Sequence, residues 1–141
     1  MYLGWCLMNM DFSKGDMRRK EIRTAIELKK TLENIHQNTK LPIFAQLFSL
    51  SRRSMAIGLG YGMSVLSYFE DIDNGPYYYS LNEQFLDKPH SKNEITVDFF
   101  YFGADSEMLE RNFIDINLAI ESMCFFLEND ARPVNILWEQ S

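Results

Sequence analysis

Cysteine and histidine are scarce in this chain of 141 residues, which contains two of each. Cys6 and Cys124 are far apart and lack the spacing of metal ligands, which excludes a disulfide framework. His36 and His90 have neither metal-ligand spacing nor an obvious nucleophile beside them. We therefore expect no metal, no cofactor and no catalytic residue, with a Cys–His pair formed only in the folded chain as the alternative.

A long apolar run is also missing, since none approaches the roughly 20 residues that cross a bilayer. The apolar residues 1–8 follow no basic segment and precede no small-residue cleavage site, so we interpret them as a strand. The sequence thus predicts a cytoplasmic protein without membrane contact. Hydrophobic residues make up 46% and charged residues 24%, which is too apolar for a disordered chain. The length suits a single domain over residues 1–141.

Negative charge dominates, because 20 Asp and Glu residues face 14 Lys and Arg residues for a net charge of −6. The basic residues concentrate near the start: residues 1–40 hold eight of them against five acidic ones. The remaining residues hold six against fifteen. An acidic body repels phosphate, so we expect no nucleic-acid binding and interpret the early basic residues as a solvated helix face. The charge favours a basic protein as partner.

Apolar spacing of three and four residues predicts two helices. The first covers residues 16–37, is capped near Ser13 or Asp16, and ends at Asn38 before the Leu41-Pro42 step. Asp115 is expected to cap the second helix, which Asn129 and Asp130 close.

Alternating apolar and aromatic residues predict strands around and between these helices. Besides the opening segment, the predicted strands cover residues 43–50, 55–59, 63–70, 77–81, 95–102 and 134–138. A turn at residues 71–76 makes two of them a hairpin, and the glycines at 58, 60 and 62 favour a tight turn between strands over a phosphate loop. The order indicates an α+β fold, an antiparallel sheet of about five to seven strands with two main helices packed on one face.

Two groups of carboxylates are candidates for function. Glu70, Asp71 and Asp73 lie at the turn before Gly75, whereas Asp105, Glu107 and Glu110 follow a strand that ends at Gly103. Neither group has the spacing of a calcium loop. Three readings stay open for both groups: an exposed acidic turn, an acid–base or cation site, and a surface for an Arg- or Lys-rich partner.

Three consecutive tyrosines follow the first acidic group. On a strand, Tyr77 and Tyr79 share one face and Tyr78 takes the other, so at least one should be partly exposed beside the turn. Tyrosine is enriched at protein interfaces because it combines a large contact area with a polar tip. These residues therefore fit either an interface or a half-buried sheet face.

The second part of the chain carries a recognisable series of motifs. They are a glycine-punctuated strand pair over residues 58–68, Tyr79-Ser80, Phe102-Gly103 followed by Ser106-Glu107, a helix bearing Ala119 and Phe126, Arg132-Pro133, and a short apolar strand with Trp138. In this layout, over residues 56–138, the chain resembles the bacterial immunity proteins of polymorphic toxin systems, in particular the family linked to deaminase toxins. One departure is Asn129-Asp130, where a glycine before Arg-Pro would be more typical.

The resemblance implies an inhibitor that binds a cognate toxin domain and occludes its active site without catalysis. A toxin that acts on nucleic acid carries positive surface, which an acidic protein can engage by imitating phosphate. The predicted toxin-binding residues are Glu70, Asp71, Asp73, Tyr77, Tyr79, Asp105 and Glu107. The alternatives are a small-ligand or regulatory domain with a pocket lined by Phe and Tyr between sheet and helices, and an enzyme that uses His90 or a carboxylate pair.

Overall fold

The structure, a computed structural model, describes the backbone of all 141 residues and every side chain except that of Lys14. In this described chain the strands are β1 Tyr2–Met8, β2 Lys14–Glu21, β3 Ile43–Phe48, β4 Ser54–Leu59, β5 Leu66–Phe69, β6 Tyr77–Leu81, β7 Thr96–Tyr101, β8 Ala104–Leu109 and β9 Leu137–Gln140. The helices are α1 Ala25–Asn38 and α2 Ile116–Asn129.

Seven strands form an antiparallel sheet in the order β2-β1-β3-β4-β5-β6-β9. The hairpin of β7 and β8 joins β3 through a single parallel bridge between Ile43 and Phe100. The α+β class is therefore confirmed, with nine strands in the described chain against the five to seven expected. The additional strands, β2 and β8, both lie at the periphery of the sheet.

Both helices pack on one face of the sheet, as predicted. Leu28 and Leu32 of α1 and Met123 and Phe126 of α2 are buried in one core cluster with Ile57 of β4. The helix ends explain where these segments begin and stop. Asp115 caps α2 by accepting hydrogen bonds from two backbone N–H groups, and the left-handed residue after the helix is Asp130.

The first helix is shorter than predicted, because its first part is a strand. Residues 14–21 pair with β1 in an antiparallel ladder, so the assignment of residues 16–21 to a helix was wrong. This segment has charges on both faces and one large apolar residue, Met17, which is typical of an edge strand. The helix begins after Thr24, whose hydroxyl accepts from the Glu27 N–H, rather than after Ser13 or Asp16.

The opposite face of the sheet is covered by the β7–β8 hairpin. Phe99 of β7 is buried against Phe44 and Ala56 in a second core cluster. Its ring lies so close to Gly58 of β4 that a Cβ there would be 2.7 Å from Phe99 Cε1. Gly60 makes the predicted tight turn with a φ of 90°. The glycine pattern therefore supplies both a turn and the close approach of an aromatic ring.

Several predicted strands are displaced or shortened. The hairpin strand expected over residues 63–70 is confined to β5, because Ser64 instead bridges to Ile114 before α2. The last strand begins at Leu137 rather than at residue 134, and Val134 is exposed. Trp138 packs against the helix-side core, and its Nε1 donates to the Pro133 carbonyl at 2.8 Å.

Candidate functional site

The acidic turn, defined as Glu70, Asp71 and Asp73, lies between β5 and β6 and faces two arginines. Arg52 Nη2 lies 3.1 Å from Asp71 Oδ1 and also pairs with Asp73. Arg53 Nε lies 3.0 Å from Glu70 Oε1. Both arginines belong to the turn between β3 and β4, which the sheet order places beside this one. Every carboxylate of the acidic turn is therefore neutralised by a neighbour in the chain's own fold.

These contacts shift the pKa values of Asp71, Glu70 and Tyr68. The Arg52 guanidinium, followed by the Asp73 backbone N–H, lowers the pKa of Asp71. Burial acts to raise the pKa of Glu70, but hydrogen bonds from Tyr68 and Arg53 together outweigh it and lower the pKa. The buried Tyr68 hydroxyl donates to Glu70 Oε2 at 2.8 Å, and burial, then this carboxylate, raises the Tyr68 pKa. The contacts of the fold thus favour the ionised forms of Glu70 and Asp71.

The same network reaches the end of α2. Arg53 Nη1 lies 3.8 Å from Asp130 Oδ2, and the Ser51 hydroxyl donates to Asp130 Oδ1 at 3.0 Å. Beyond the helix, the Arg132 guanidinium lies 4.0 Å from the centre of the Tyr78 ring. The acidic turn is thus one part of an ion-pair network that joins two turns and a helix end.

The tyrosines alternate between the faces of the sheet as predicted. Tyr78 lies on the helix side, where it packs beside Tyr68. Tyr77 packs edge-to-face against Phe69 with ring centroids 5.0 Å apart, and Tyr79 packs against the hairpin-side core. All three side chains are half-buried. Tyr77 and Tyr79 therefore line the sheet face that the hairpin covers.

Asp105 and Glu107 lie on β8, away from the acidic turn, and a third carboxylate joins them. Asp98 of β7 is the direct cross-strand partner of Glu107, so two like charges oppose each other. All three side chains are exposed, and none of the described basic side chains lies within ion-pair distance of them. We call Asp98, Asp105 and Glu107 the hairpin surface.

A small cavity lies beneath the hairpin surface, between β8 and the sheet. It holds about 100 Å³ and is partly open to solvent. Tyr79 of β6 and Ser106 of β8, the residue between Asp105 and Glu107, both line it. We call it the hairpin cavity. Of the predicted site residues, it brings Tyr79 close to β8, whereas the acidic turn belongs to the separate arginine network.

The sequence reasoning missed three residues of this region: Asp98, Ser67 and Tyr101. Ser67 and Tyr101 line the hairpin cavity, and Tyr101 donates a hydrogen bond to the buried Gln46. Burial raises the pKa of Tyr101. A usable signal existed for β8, because residues 104–109 alternate between exposed charges and inward Ser106 and Met108.

The residues considered for catalysis have separate structural contacts. His36 Nδ1 accepts from the Gly60 N–H at 2.9 Å, whereas His90 Nε2 lies 3.4 Å from Glu139 Oε1. The Cys124 thiol donates to a helix carbonyl at 3.7 Å, and burial raises its pKa. No described hydrogen bond joins a cysteine to a histidine.

Glu139 also binds the deeply buried Arg111, whose Nε lies 2.8 Å from Glu139 Oε2. Arg111 Nη2 donates to the Lys88 carbonyl at 3.1 Å, which fixes the exposed loop around His90 to β9. The carboxylate nearest to His90 is therefore engaged by a buried cation. Among the described residues, His, Cys, Asp and Glu side chains form no group of three or more that could hold a metal ion.

No protein-family model matches the chain, and no curated protein is significantly similar to it. Among the described residues, neither helix is long and apolar enough to cross a membrane. The resemblance to the immunity family stays a prediction, and the geometry of the two acidic regions is the basis for the proposals below.

Proposed function

We propose that this protein is an immunity protein that binds a cognate bacterial toxin domain with a basic surface and occludes its active site. It acts in the cytoplasm of the toxin-producing cell and catalyses no reaction. The observation that carries this proposal is the hairpin surface, where three exposed carboxylates have no described cation within ion-pair distance. Unpaired charge of one sign attracts an oppositely charged partner and raises its association rate.

Half-buried aromatic side chains on the sheet face that the hairpin covers add contact area. Tyr79 packs against the hairpin-side core, and Tyr77 packs edge-to-face against Phe69 on the same face. Half-buried tyrosines lose little conformational freedom on binding and are common anchors of interfaces. A deaminase or nuclease domain must attract the phosphates of its substrate, so its active site offers the positive potential that a carboxylate-rich surface fits.

The acidic turn is expected to contribute less to binding. Glu70, Asp71 and Asp73 already pair with Arg52 and Arg53, so a basic partner would have to compete with these arginines. Of the predicted toxin-binding residues, Asp105 and Glu107 should therefore contribute more to binding than the acidic turn. Asp98 should contribute as well, because it lies opposite Glu107.

The alternative of a small-ligand domain has less support. A pocket lined by Phe and Tyr between the sheet and the helices was expected for it, yet the side chains at the centre of that layer, such as Leu32, Ile57 and Met123, are fully buried. The clefts at its edges, of about 340 Å³ beside α1 and about 410 Å³ beside α2, contain neither Phe nor Tyr. The hairpin cavity has aromatic walls, but its 100 Å³ is below the roughly 300–1,000 Å³ of drug-sized ligand sites, and a cleft of about 400 Å³ with Tyr2, Phe48 and Phe102 lies at β1 rather than between the sheet and the helices.

The test is binding to the C-terminal domain encoded by the toxin gene immediately upstream. We expect co-purification and loss of toxin activity in the complex. In the variant Asp105→Lys/Glu107→Lys, the association rate should fall by about tenfold or more at low salt, and the loss should shrink at high salt. Stopped-flow fluorescence measures the association rate at low and at high salt for the variant and for the unmodified chain.

The matched control is Glu121→Lys/Glu128→Lys, which changes net charge by the same amount at exposed positions of α2. This control should lower the association rate much less. Equal losses in both variants would mean that net charge, and not the hairpin surface, attracts the toxin. Absence of a complex with the unmodified chain would reject the proposed function itself.

A further inference from the structure

The hairpin cavity contains a polar atom without a partner. Ser67 of β5 lies on the sheet face under β8, between Ala56 and Tyr79 in the register, and is 4% exposed. Its Oγ is fully buried, and none of the described groups forms a hydrogen bond with it. Buried hydroxyls nearly always have a partner, either in the protein, in an ordered water or in a bound group, so an orphaned one beside a cavity marks a position where such a group can bind.

The walls of the cavity are mostly aromatic. Phe44, Phe69, Tyr79 and Tyr101 line it, together with Ser106 from β8. A dry cavity of roughly 150 Å³ takes up a benzene molecule, so about 100 Å³ suits one slender side chain rather than a larger ligand. Aromatic faces attract cations that lie within about 6 Å of the ring centre.

We infer, on the basis of the proposed function, that the hairpin cavity receives a lysine side chain of the partner, with the ammonium bound to Ser67 Oγ between aromatic walls. The ammonium has three N–H donors. Ser67 Oγ accepts one, and Ser106 Oγ, whose described contact is Met108 Sδ at 3.9 Å, can accept another. Asp105 and Glu107, on either side of Ser106, alternate with it and do not line the cavity, so their negative charge attracts a cation to this part of the surface without contacting it inside.

Other side chains fit less well. An aliphatic side chain would fill the cavity but leave Ser67 Oγ without a partner. A carboxylate would approach the negative hairpin surface, while no lysine or arginine is among the residues that line the cavity. Arginine carries a broad planar guanidinium, whereas lysine has a compact charge on a slender four-carbon stem.

The test uses n-butylammonium, the analogue of a lysine side chain, in an NMR titration of the isotopically labelled full chain. The comparison probes are n-butanol and butyrate, which keep the carbon chain and change its charge. We expect saturable shifts at Ser67, Tyr79 and Tyr101 with n-butylammonium, clearly weaker ones with n-butanol, and none with butyrate. Ser67→Ala should weaken n-butylammonium binding by about tenfold, because a hydrogen bond to a charged group is lost.

The matched control is Ser122→Ala, a buried serine of α2 on the other face whose hydroxyl bonds to its own helix. It should leave n-butylammonium binding unchanged. Equal or tighter binding of n-butanol would overturn the inference in favour of an apolar side chain, and binding of no probe would overturn the cavity as a site. Because the three probes act on the unmodified chain, a Ser67→Ala variant that fails to fold does not affect this decision.

The toxin complex separates this inference from the proposed function. If the toxin domain binds and Ser67→Ala leaves its affinity unchanged, the lysine site is rejected while the function stands. If no toxin binds but n-butylammonium does so selectively, the proposed function fails, and the selectivity of the cavity for a lysine-type side chain is supported.

Discussion

Three carboxylates lie at the acidic turn and three on the hairpin surface, but their surroundings differ. At the turn, Arg52 and Arg53 pair with Glu70, Asp71 and Asp73, and the network continues to the end of α2. On the hairpin surface, Asp98 and Glu107 oppose each other across two strands, with no described cation in range. Two acidic clusters of similar composition can therefore have different roles. One stabilises the fold through ion pairs, and the other leaves its charge available to a basic partner.

The two regions are also held in place by different kinds of contact. The acidic turn is fixed by ion pairs between neighbouring turns of the main sheet, and Tyr68 links it to the core. The hairpin joins the main sheet by one bridge and relies on the packing of Phe99 above Gly58. Electrostatic contacts thus stabilise the turn, whereas shape complementarity positions the hairpin surface.

The largest effect is expected from Gly58→Ala, which breaks that packing. The added Cβ would lie 2.7 Å from the buried Phe99 ring, so the hairpin must shift. We expect a loss of about 1–3 kcal/mol in the free energy of unfolding, as for overpacked cores. Urea denaturation measures the loss, and hydrogen exchange should show reduced protection of β7 and β8 but not of the acidic turn.

Gly4→Ala is the matched control, because its Cβ would lie 3.5 Å from the nearest atom, an ordinary contact with Phe48. It should change the free energy of unfolding very little. A neutral effect of Gly58→Ala would mean that the hairpin adjusts without cost, in contradiction to a tightly positioned hairpin surface.

A smaller effect is expected from acid, and it should be confined to the turn. The pKa values of Glu70 and Asp71 are lowered from their ordinary 4.5 and 3.8. Ion pairing of these groups therefore adds stability that is complete above those values and is lost as the pH falls through the lowered ones. Arg52→Met should thus destabilise the protein at pH 7, with the difference from the unmodified chain shrinking below about pH 4.

The control for this pH series is Arg19→Met, an exposed arginine of β2 that stacks on the Tyr2 ring. Its stability difference should stay nearly constant between pH 7 and pH 3 in thermal denaturation. A constant difference for Arg52→Met as well would show that its carboxylate pairs add no stability to the fold.

How far the sequence predicts this molecule depends on the range of the interactions involved. Helix α2 follows from local signals, namely the Asp115 cap and a regular apolar face, and both helix packing and fold class were correct. The strand β2 was mistaken for helix because an exposed edge strand needs no apolar alternation, and the periodicity of α1 was extended through it. The strand β8 was also missed, although its exposed charges alternate with the inward Ser106 and Met108.

The candidate site was predictable as a set of residue types but not as an arrangement. Nothing local in the sequence shows that Arg52 would lie against Asp71, since the β3–β4 and β5–β6 turns meet only when the sheet forms. Likewise, Ser67 and Ser106 come together only because the hairpin folds over the sheet face. Contacts between distant parts of the chain decide which carboxylates form ion pairs, and residue spacing and composition do not predict such contacts.

The smallest effect, and the most direct comparison of the two regions, is expected from single charge reversals of equal size. Glu107→Lys replaces a like-charged pair with Asp98 by an opposite-charged one, which should stabilise the fold by about 0.2–1 kcal/mol. Asp71→Lys places a cation beside Arg52 and should destabilise the fold. Both variants change net charge equally, so urea denaturation should give opposite signs. Shifts of the same sign would mean that overall charge, rather than local pairing, governs both regions, and the distinction between the acidic turn and the hairpin surface would then fail.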